Sequence, residues 1–308
     1  MLFTQKIDDE KSWASICNQM DVFKPLIENI LMRESLLIED ISSVKQSTNA
    51  VFRMSNVVIK IFRPKESGVD ERDYPSELFG LTRASSLGLS APKILANGII
   101  KDTYDFPYII TEFMDGVILQ DIFKQMDANE KYMIGRKLRE ITDKLNTPCE
   151  PFNYIEYPLL NKGYDDWLFS LGYHKMFLDE RKRYLHSAGP DKSDFVFCHG
   201  DMAPCNILYD LDGALHIIDF ACALLAPVCV EHSYLVFWFD FDKSFIHGYF
   251  GEICMDKLTD MCFKGFLHSI NGISLLANGL DYGFIDGKAC QHIEDFKAQL
   301  RMYIESKM

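Results

Sequence analysis

The chain has 308 residues, 48% hydrophobic and 25% charged, enough apolar material for a full core and for two lobes or domains. Its net charge of −13 argues against the nucleic-acid backbone as a partner. Its nine cysteines form no CxxC pair and no cysteine–histidine cluster with zinc spacing, and their odd number argues against a disulfide framework. The charged opening M-L-F-T-Q-K-I-D-D-E-K lacks the apolar core of a signal peptide, and the apolar run after Asp219 is interrupted by Pro227, Glu231 and His232, so a cytoplasmic protein without a membrane partner is expected.

Taken in order, Trp13, Ile16, Cys17 and Met20 recur at helical spacing, and Pro25 reads as the start of a second helical piece. Residues up to about 34 are thus expected to be a helical extension. Three short β-rich runs follow, L-L-I-E-D-I-S, N-A-V-F-R-M-S and N-V-V-I-K-I-F, which predict an antiparallel meander. Pro75-Ser76-Glu77 opens a helix to Leu87, with Gly88 at its C-terminal end. Lys93–Gly98 and Tyr108–Phe113 read as two further strands, and Asp115-Gly116 breaks the pattern.

Beyond that break the chain turns helical. Ile134, Leu138, Ile141 and Leu145 form a stripe at the 3.6-residue period that Pro148 ends, and Asp165–Leu171 and Leu178–Ser187 read as helices. Phe195–Cys198, Ile207–Tyr209 and His216–Ile218 read as short strands of one hairpin-like unit. From Glu231 onward helices return, with glycine-bearing turns near Gly248, Gly272 and Gly283–Gly287. The order predicts an α+β chain of two lobes: a small antiparallel-sheet lobe over residues 1–113 and a mainly helical lobe over 114–308, meeting near Glu112–Gly116, where a ligand cleft is expected.

The polar residues at the ends of these strands carry the chemistry. In H-G-D-M-A-P-C-N (residues 199–206), Asp201 is placed to face a substrate hydroxyl and Asn206 to offer an amide oxygen to a cation. Asp219, ending I-I-D-F, adds a charged ligand, and this sparse oxygen set suits Mg²⁺, which completes its shell with water and phosphates. That division of labour is the one used in kinase-type phosphoryl transfer. Lys60, among apolar residues in V-V-I-K-I-F, needs an anionic partner. Glu77 in the helix is the best candidate, with Glu71 in the preceding loop as a rival. The loop S-S-V-K-Q-S-T-N (residues 42–49) would lie over phosphates, offering Ser47, Thr48 and Asn49, although it holds no glycine. Backbone groups of Glu112 and Met114 are placed to meet a purine edge.

Together these segments resemble the aminoglycoside phosphotransferase and choline kinase-like family, a branch of the protein-kinase-like fold. The matching stretches are V-V-I-K at Lys60, S-E-L-F-G-L-T-R-A-S-S-L-G-L-S-A-P-K-I, I-I-T-E-F-M-D-G, H-G-D-M-A-P-C-N and I-I-D-F, spanning about Val44 to Phe220. The resemblance implies a bilobal fold and an ATP- or GTP-dependent, Mg²⁺-dependent kinase. It makes Asp201 the catalytic base or hydroxyl-positioning residue, Asn206 and Asp219 the metal ligands, and Lys60 the contact to the α- and β-phosphates, paired with Glu77. Ile218 joins the nucleotide contacts, and His199 is similar to a structural histidine. Gly200 stands where protein kinases carry arginine and no A-P-E follows Asp219, which favours a small-molecule acceptor over a protein. The chain departs from the family after Asp219, where L-A-P-V-C-V-E-H lacks the usual aspartate in register and Glu231 lies nearby.

The acceptor implied is a small hydroxylated molecule, neutral or cationic. An aminoglycoside-type antibiotic, and with it a resistance role, is the first expectation. Choline, homoserine, a sugar amine or a macrolide are alternatives, and a scaffold that binds nucleotide without catalysis is a further one. Asp165, Asp166, Glu231, Asp240 and Asp242 are candidates to bind amines, and Trp167, Trp238 and Phe239 are candidates to stack on a quaternary amine.

Overall fold

The computed structural model describes residues 1–37, 41–44, 48–68, 72–152, 162–170, 172–187, 194–268 and 290–308. The chain divides into two compact units, Met1–Gly116 with Leu208–Cys222, and Val117–Ile207 with Ala223–Met308. No helix among the described residues is long and apolar enough to cross a membrane.

The first unit begins with helices α1 (Glu10–Ile16) and α2 (Met20–Arg33), then strands β1 (Ile41–Ser43), β2 (Ala50–Met54) and β3 (Val57–Ile61). Helix α3 (Asp73–Ser86) follows, then β4 (Ile94–Lys101) and β5 (Asp105–Glu112). The five strands form one sheet in the order β1-β2-β3-β5-β4, and every pairing is antiparallel. Register sets the two faces. Phe52, Ile59 and Ile110 lie opposite one another across β2, β3 and β5 and are fully buried under Phe3, Trp13, Phe23, Ile27 and Ile30 of the N-terminal segment. One residue along, Val51, Lys60 and Ile109 align, and the two-residue period of a strand turns them to the opposite face.

Pro25 does not start a helix, contrary to the sequence expectation; it lies inside α2, whose N-cap is Gln19. An internal proline costs about 3 kcal/mol through its missing N–H and its ring. Phe23, Leu26, Ile27, Ile30 and Leu31 of α2 are all fully buried, and at roughly 1.5–3 kcal/mol per side chain their burial outweighs that cost. The extension is also tied down at its start, where the Leu2 and Phe3 N–H groups donate to Asp102 Oδ2 at 2.9 and 2.7 Å.

The second unit starts with a two-residue strand β6 (Val117–Ile118) and a single-turn helix α4 (Leu119–Ile122), then α5 (Ala128–Leu145), α6 (Lys162–Ser170) and α7 (Lys175–Ser187). Asp127 and Glu130 close a capping box at the start of α5, satisfying N–H groups that have no partner within the helix. Ile134, Leu138 and Leu145 of the predicted stripe are buried. After β7 (Phe195–Cys198) the chain enters the stretch that belongs to the first unit with β8 (Ile207–Tyr209) and β9 (Leu215–Ile217), and the second unit resumes with β10 (Leu224–Pro227), α8 (Val228–Trp238), α9 (Lys243–Phe250), α10 (Met255–His268) and α11 (Ile293–Lys307).

Two local expectations are corrected here. β7 does not belong to a hairpin with β8; it pairs antiparallel with β10, with Cys198 opposite Leu224 and Phe195 opposite Pro227. Apolar runs mark strands but carry no information on their partners. Gly248 is not a turn residue but lies within α9, where a Cβ would come within 2.0 Å of the Tyr132 carbonyl oxygen on α5. A helical glycine here permits close backbone approach of α5 and α9. The turns expected at Gly272 and Gly283–Gly287 lie outside the described residues.

Candidate active site

In the first unit, Lys60 and Glu77 meet. Lys60 Nζ lies 3.1 Å from Glu77 Oε2 and 2.8 Å from Asp219 Oδ1. Lys60 and Glu77 are 8% and 5% exposed. Burial alone would lower the Lys60 ammonium, but Asp219 and Glu77 outweigh it and hold the group above its ordinary value. Burial pushes the Glu77 carboxyl up to about 7, with Lys60 pulling the other way. Glu71, the rival partner, lies outside the described residues.

Asp219 has a positive φ of 64°, a left-handed conformation that costs an L-residue about 1–2 kcal/mol. Its neighbours hold it there. Phe220 packs on Gly80 of α3 so closely that a Cβ on Gly80 would lie 2.5 Å from the Phe220 Cβ. Two residues before Asp219, the Ile217 N–H donates to the Ser90 carbonyl at 2.9 Å. His216 bridges Ser90 Oγ at 2.5 Å and Asp210 Oδ2 at 3.0 Å. Gly80→Ala is therefore expected to cost about 1–3 kcal/mol of stability and to lower turnover by displacing Asp219, as melting curves and steady-state kinetics would show.

The loop residues divide. Ser47 lies outside the described residues, and Thr48 is exposed. Asn49 turns inward: it is 1% exposed, with Nδ2 donating to Asp73 at 3.3 Å and Oδ1 accepting from the Arg63 N–H at 3.4 Å. Its side-chain amide is thus committed to the protein. The Glu112 N–H donates to the Lys93 carbonyl and the Phe113 N–H to the Asn56 carbonyl. Ile218 is half-buried.

In the second unit, Asn206 is 8% exposed and its Nδ2 donates to the Asp201 carbonyl and to Asp201 Oδ2, both at 2.9 Å. That clamp fixes the Asp201 carboxylate and turns the Asn206 oxygen away from it. Asn206 Oδ1 and the Asp219 carboxylate are hard oxygen donors of the kind Mg²⁺ takes. Directly below, Glu231 is fully buried, and its Oε2 accepts from the Gly200 N–H at 3.2 Å. Burial pushes its carboxyl up to about 7, against the pull of the Gly200 and His199 N–H groups. Glu231 is thus a prop beneath the H-G-D turn, and its expected contact with an acceptor is corrected: a fully buried side chain presents no surface to a ligand.

This prop has a pH signature. A carboxyl raised from 4.5 to about 7 on folding holds more protons in the native state across that window, so its contribution to stability falls as pH rises through it. The wild-type melting temperature is expected to fall between pH 4.5 and pH 7 by more than that of Glu231→Gln, whose amide does not titrate. Equal slopes in both proteins would contradict this.

The other acceptor candidates lie apart from this turn in sequence. Asp165 takes Arg181 Nη1 at 3.3 Å, and Asp166 is exposed. Asp240 accepts from Tyr303 Oη and Lys307 Nζ, each at 2.8 Å. Asp242 caps α9 through the Phe245 N–H and binds Lys131 at 3.0 Å. Phe239 is core, 1% exposed and stacked on Phe245 at 4.0 Å between ring centroids, so it is not free to meet a quaternary amine. Trp238 is half-buried, and the Trp167 side chain lies outside what is described.

The residues that hold Asp219 in place, Gly80, Ser90 and His216, carry no motif of their own; the glycine inside S-E-L-F-G-L-T-R-A is the one local hint. The model of the phosphotransferase enzyme family matches residues 43–260. Among solved structures, the GDP complex of aminoglycoside 2'-phosphotransferase-IIIa is similar with a TM-score of 0.55 and 16% identity, covering 92% of this chain and 99% of that one. A microcompartment-associated aminopropanol kinase gives 0.57 and 12% over 92% and 94%. A choline kinase from Streptococcus pneumoniae gives 0.54 and 16% over 91% and 98%. The antiparallel sheet, the helical second unit and these likenesses are those of a protein-kinase-like fold, and the chain belongs to the phosphotransferase enzyme family.

Proposed function

We propose that the protein transfers the γ-phosphoryl group of ATP or GTP to a hydroxyl of a small amine-bearing molecule, an aminoglycoside-type antibiotic first among the acceptors. The observation that carries this reading is the buried Lys60 held between Glu77 and Asp219, in a chain whose Asp201 is clamped by Asn206. A lysine kept charged by two carboxylates is ready to meet phosphate oxygens, and a carboxylate with one oxygen fixed is ready to orient a hydroxyl. The nucleotide is assigned to the first unit and the acceptor to the helical unit.

In the step proposed, the acceptor oxygen attacks the γ-phosphorus, the bond to the β–γ bridging oxygen breaks, and the nucleoside diphosphate leaves. The acceptor's proton passes to Asp201 late in the transfer. Lys60 offsets charge on the α- and β-phosphates, and Glu77 keeps the ammonium aimed. Asn206 and Asp219 would hold Mg²⁺, which when bound supplies positive charge to the phosphate oxygens. A nucleotide donor and nine cysteines that are all free thiols suit a cytoplasmic enzyme.

An amine on the acceptor is supported by the net charge of −13 and by relatives named for an aminoglycoside, choline and aminopropanol. Asp166, Asp165 and Asp240 remain the carboxylates assigned to such an amine. The test is a coupled assay of nucleoside diphosphate release with Mg·ATP and Mg·GTP over a panel of aminoglycosides, macrolides, choline, homoserine and amino sugars. Acceptor-dependent release with an aminoglycoside, together with a raised inhibitory concentration in cells that express the protein, is the expected result. Release with choline or homoserine alone would reassign the acceptor. A thermal shift with nucleotide and no release on any acceptor would favour a binding scaffold.

A further inference from the structure

We infer that Asn146, at the C-terminal end of α5, is a positioning residue for Asp201 and acts through β7. The inference rests on the kinase reading, which gives Asp201 its part in the transfer. Asn146 is the C-cap of α5, and its Nδ2 donates to the Phe197 carbonyl at 2.8 Å. The Phe197 N–H in turn donates to the Thr147 carbonyl at 3.1 Å. Both main-chain groups of Phe197, itself fully buried, are thus taken by consecutive residues at the end of one helix.

Successive residues of a strand turn their N–H and C=O groups to opposite edges. On one side β7 pairs with β10. No second strand pairs with it among the described residues, and the end of α5 closes the other edge. Three residues on, Glu231 holds the Gly200 N–H, and Asn206 clamps Asp201. The run from Phe197 to Asn206 is therefore fixed at its start by Asn146, in its middle by Glu231 and at its end by Asn206, all within the second unit. Asn146 Oδ1 is buried without a partner. An apolar side chain would avoid that cost, so the position uses the amide for its donor. With the donor removed, the buried Phe197 carbonyl loses its partner and β7 must shift to regain one, taking Asp201 off line.

The experiment is steady-state kinetics on the full-length wild type, Asn146→Ala, Asp201→Ala and the double variant, with calorimetric titration of Mg·ATP and Mg·GTP. Asn146→Ala is expected to lower kcat about tenfold, the upper end for one net hydrogen bond, with nucleotide Kd within about twofold. In the Asp201→Ala background the same change is expected to cost less than about twofold, because a residue that acts through Asp201 then has nothing left to position. A merely structural role would lower kcat equally in both backgrounds, or lower the melting temperature alone. Either result overturns the inference.

Asn146→Leu decides the matter where Asn146→Ala does not fold. Leucine keeps the volume and removes the unpaired oxygen along with the donor, and the same pair of kcat ratios is expected. In the wild type itself, the Asn146 side-chain N–H bonded to Phe197 is expected to exchange with solvent far more slowly than a free amide, and exchange at the free rate would also overturn the inference. A wild type without acceptor-dependent turnover would remove the kinase reading and this inference with it; a wild type that turns over, with Asn146→Ala equally active, removes the inference alone.

Discussion

Asp201→Ala is expected to lower turnover by about 10²–10⁴-fold, the range for loss of a positioned proton acceptor, while nucleotide affinity stays within about twofold. The carboxylate has one oxygen on Asn206 Nδ2, which also bonds the Asp201 carbonyl. Truncation therefore leaves Asn206 with a main-chain acceptor, and the Glu231–Gly200 bond beneath the turn does not involve the Asp201 side chain. The loss should appear in kcat with the loop still folded. Steady-state kinetics beside calorimetric nucleotide binding separate the two quantities. Turnover near wild type would remove Asp201 from its assigned role.

Lys60→Met is expected to weaken nucleotide use and to destabilise the fold. The ammonium neutralises two carboxylates, and Lys60 and Glu77 are only 10% and 7% exposed at their side chains. Removing one partner of a buried pair costs about 3–5 kcal/mol, reduced here because Asp219 is 38% exposed and can rehydrate. Glu77, already pushed up to about 7 by burial, then loses the charge that favoured its ionised form, so its folded value rises further.

A carboxyl whose folded value lies above its unfolded 4.5 stabilises at low pH and loses that contribution as pH rises. Up to about pH 7 the folded Glu77 carboxyl keeps its proton in both proteins, so the stability deficit of Lys60→Met is flat from pH 4.5 to about 7 and grows above it, where Glu77 ionises in the wild type and not in the variant. Glu77→Gln in the same chain should recover part of it. Denaturant unfolding across this pH range checks both points, and a deficit independent of pH, or a nucleotide KM unchanged in Lys60→Met, would contradict them.

Local chemistry made much of the fold legible in the sequence. V-V-I-K-I-F reads as a strand because its alternation sends Ile59 and Ile61 into the core under the N-terminal helices and Lys60 to the other face. The Lys60–Glu77 pairing could be anticipated because a lysine among apolar residues needs an anion. What stayed hidden was decided by partners distant in sequence. Pro25 sits within a helix because burial of the residues around it outweighs its local cost. β7 pairs with a strand 28 positions later, Cys198 bonding through Sγ to the Ala226 carbonyl, and no apolar run announces that choice.

The candidate site shows the same division. Asp201 and Asn206 lie five positions apart and bond each other, so the motif contains its own geometry. Glu231 was legible as an acidic residue near the site but not as a buried one, because burial depends on α8 packing beneath the H-G-D turn. Asn49 had the composition of a phosphate contact, yet Asp73 and Arg63 claim its amide. Phe239 is of the residue type that stacks on an amine, but Phe245 stacks against it.

The most direct test of phosphoryl transfer to a small-molecule hydroxyl follows the phosphate itself. With γ-labelled ATP or GTP, Mg²⁺ and the acceptor panel, the label is predicted to appear in a phosphate ester of an amine-bearing acceptor with the wild type, and to disappear with Asp201→Ala. Label found only in inorganic phosphate, or an ester formed equally by Asp201→Ala, would contradict it.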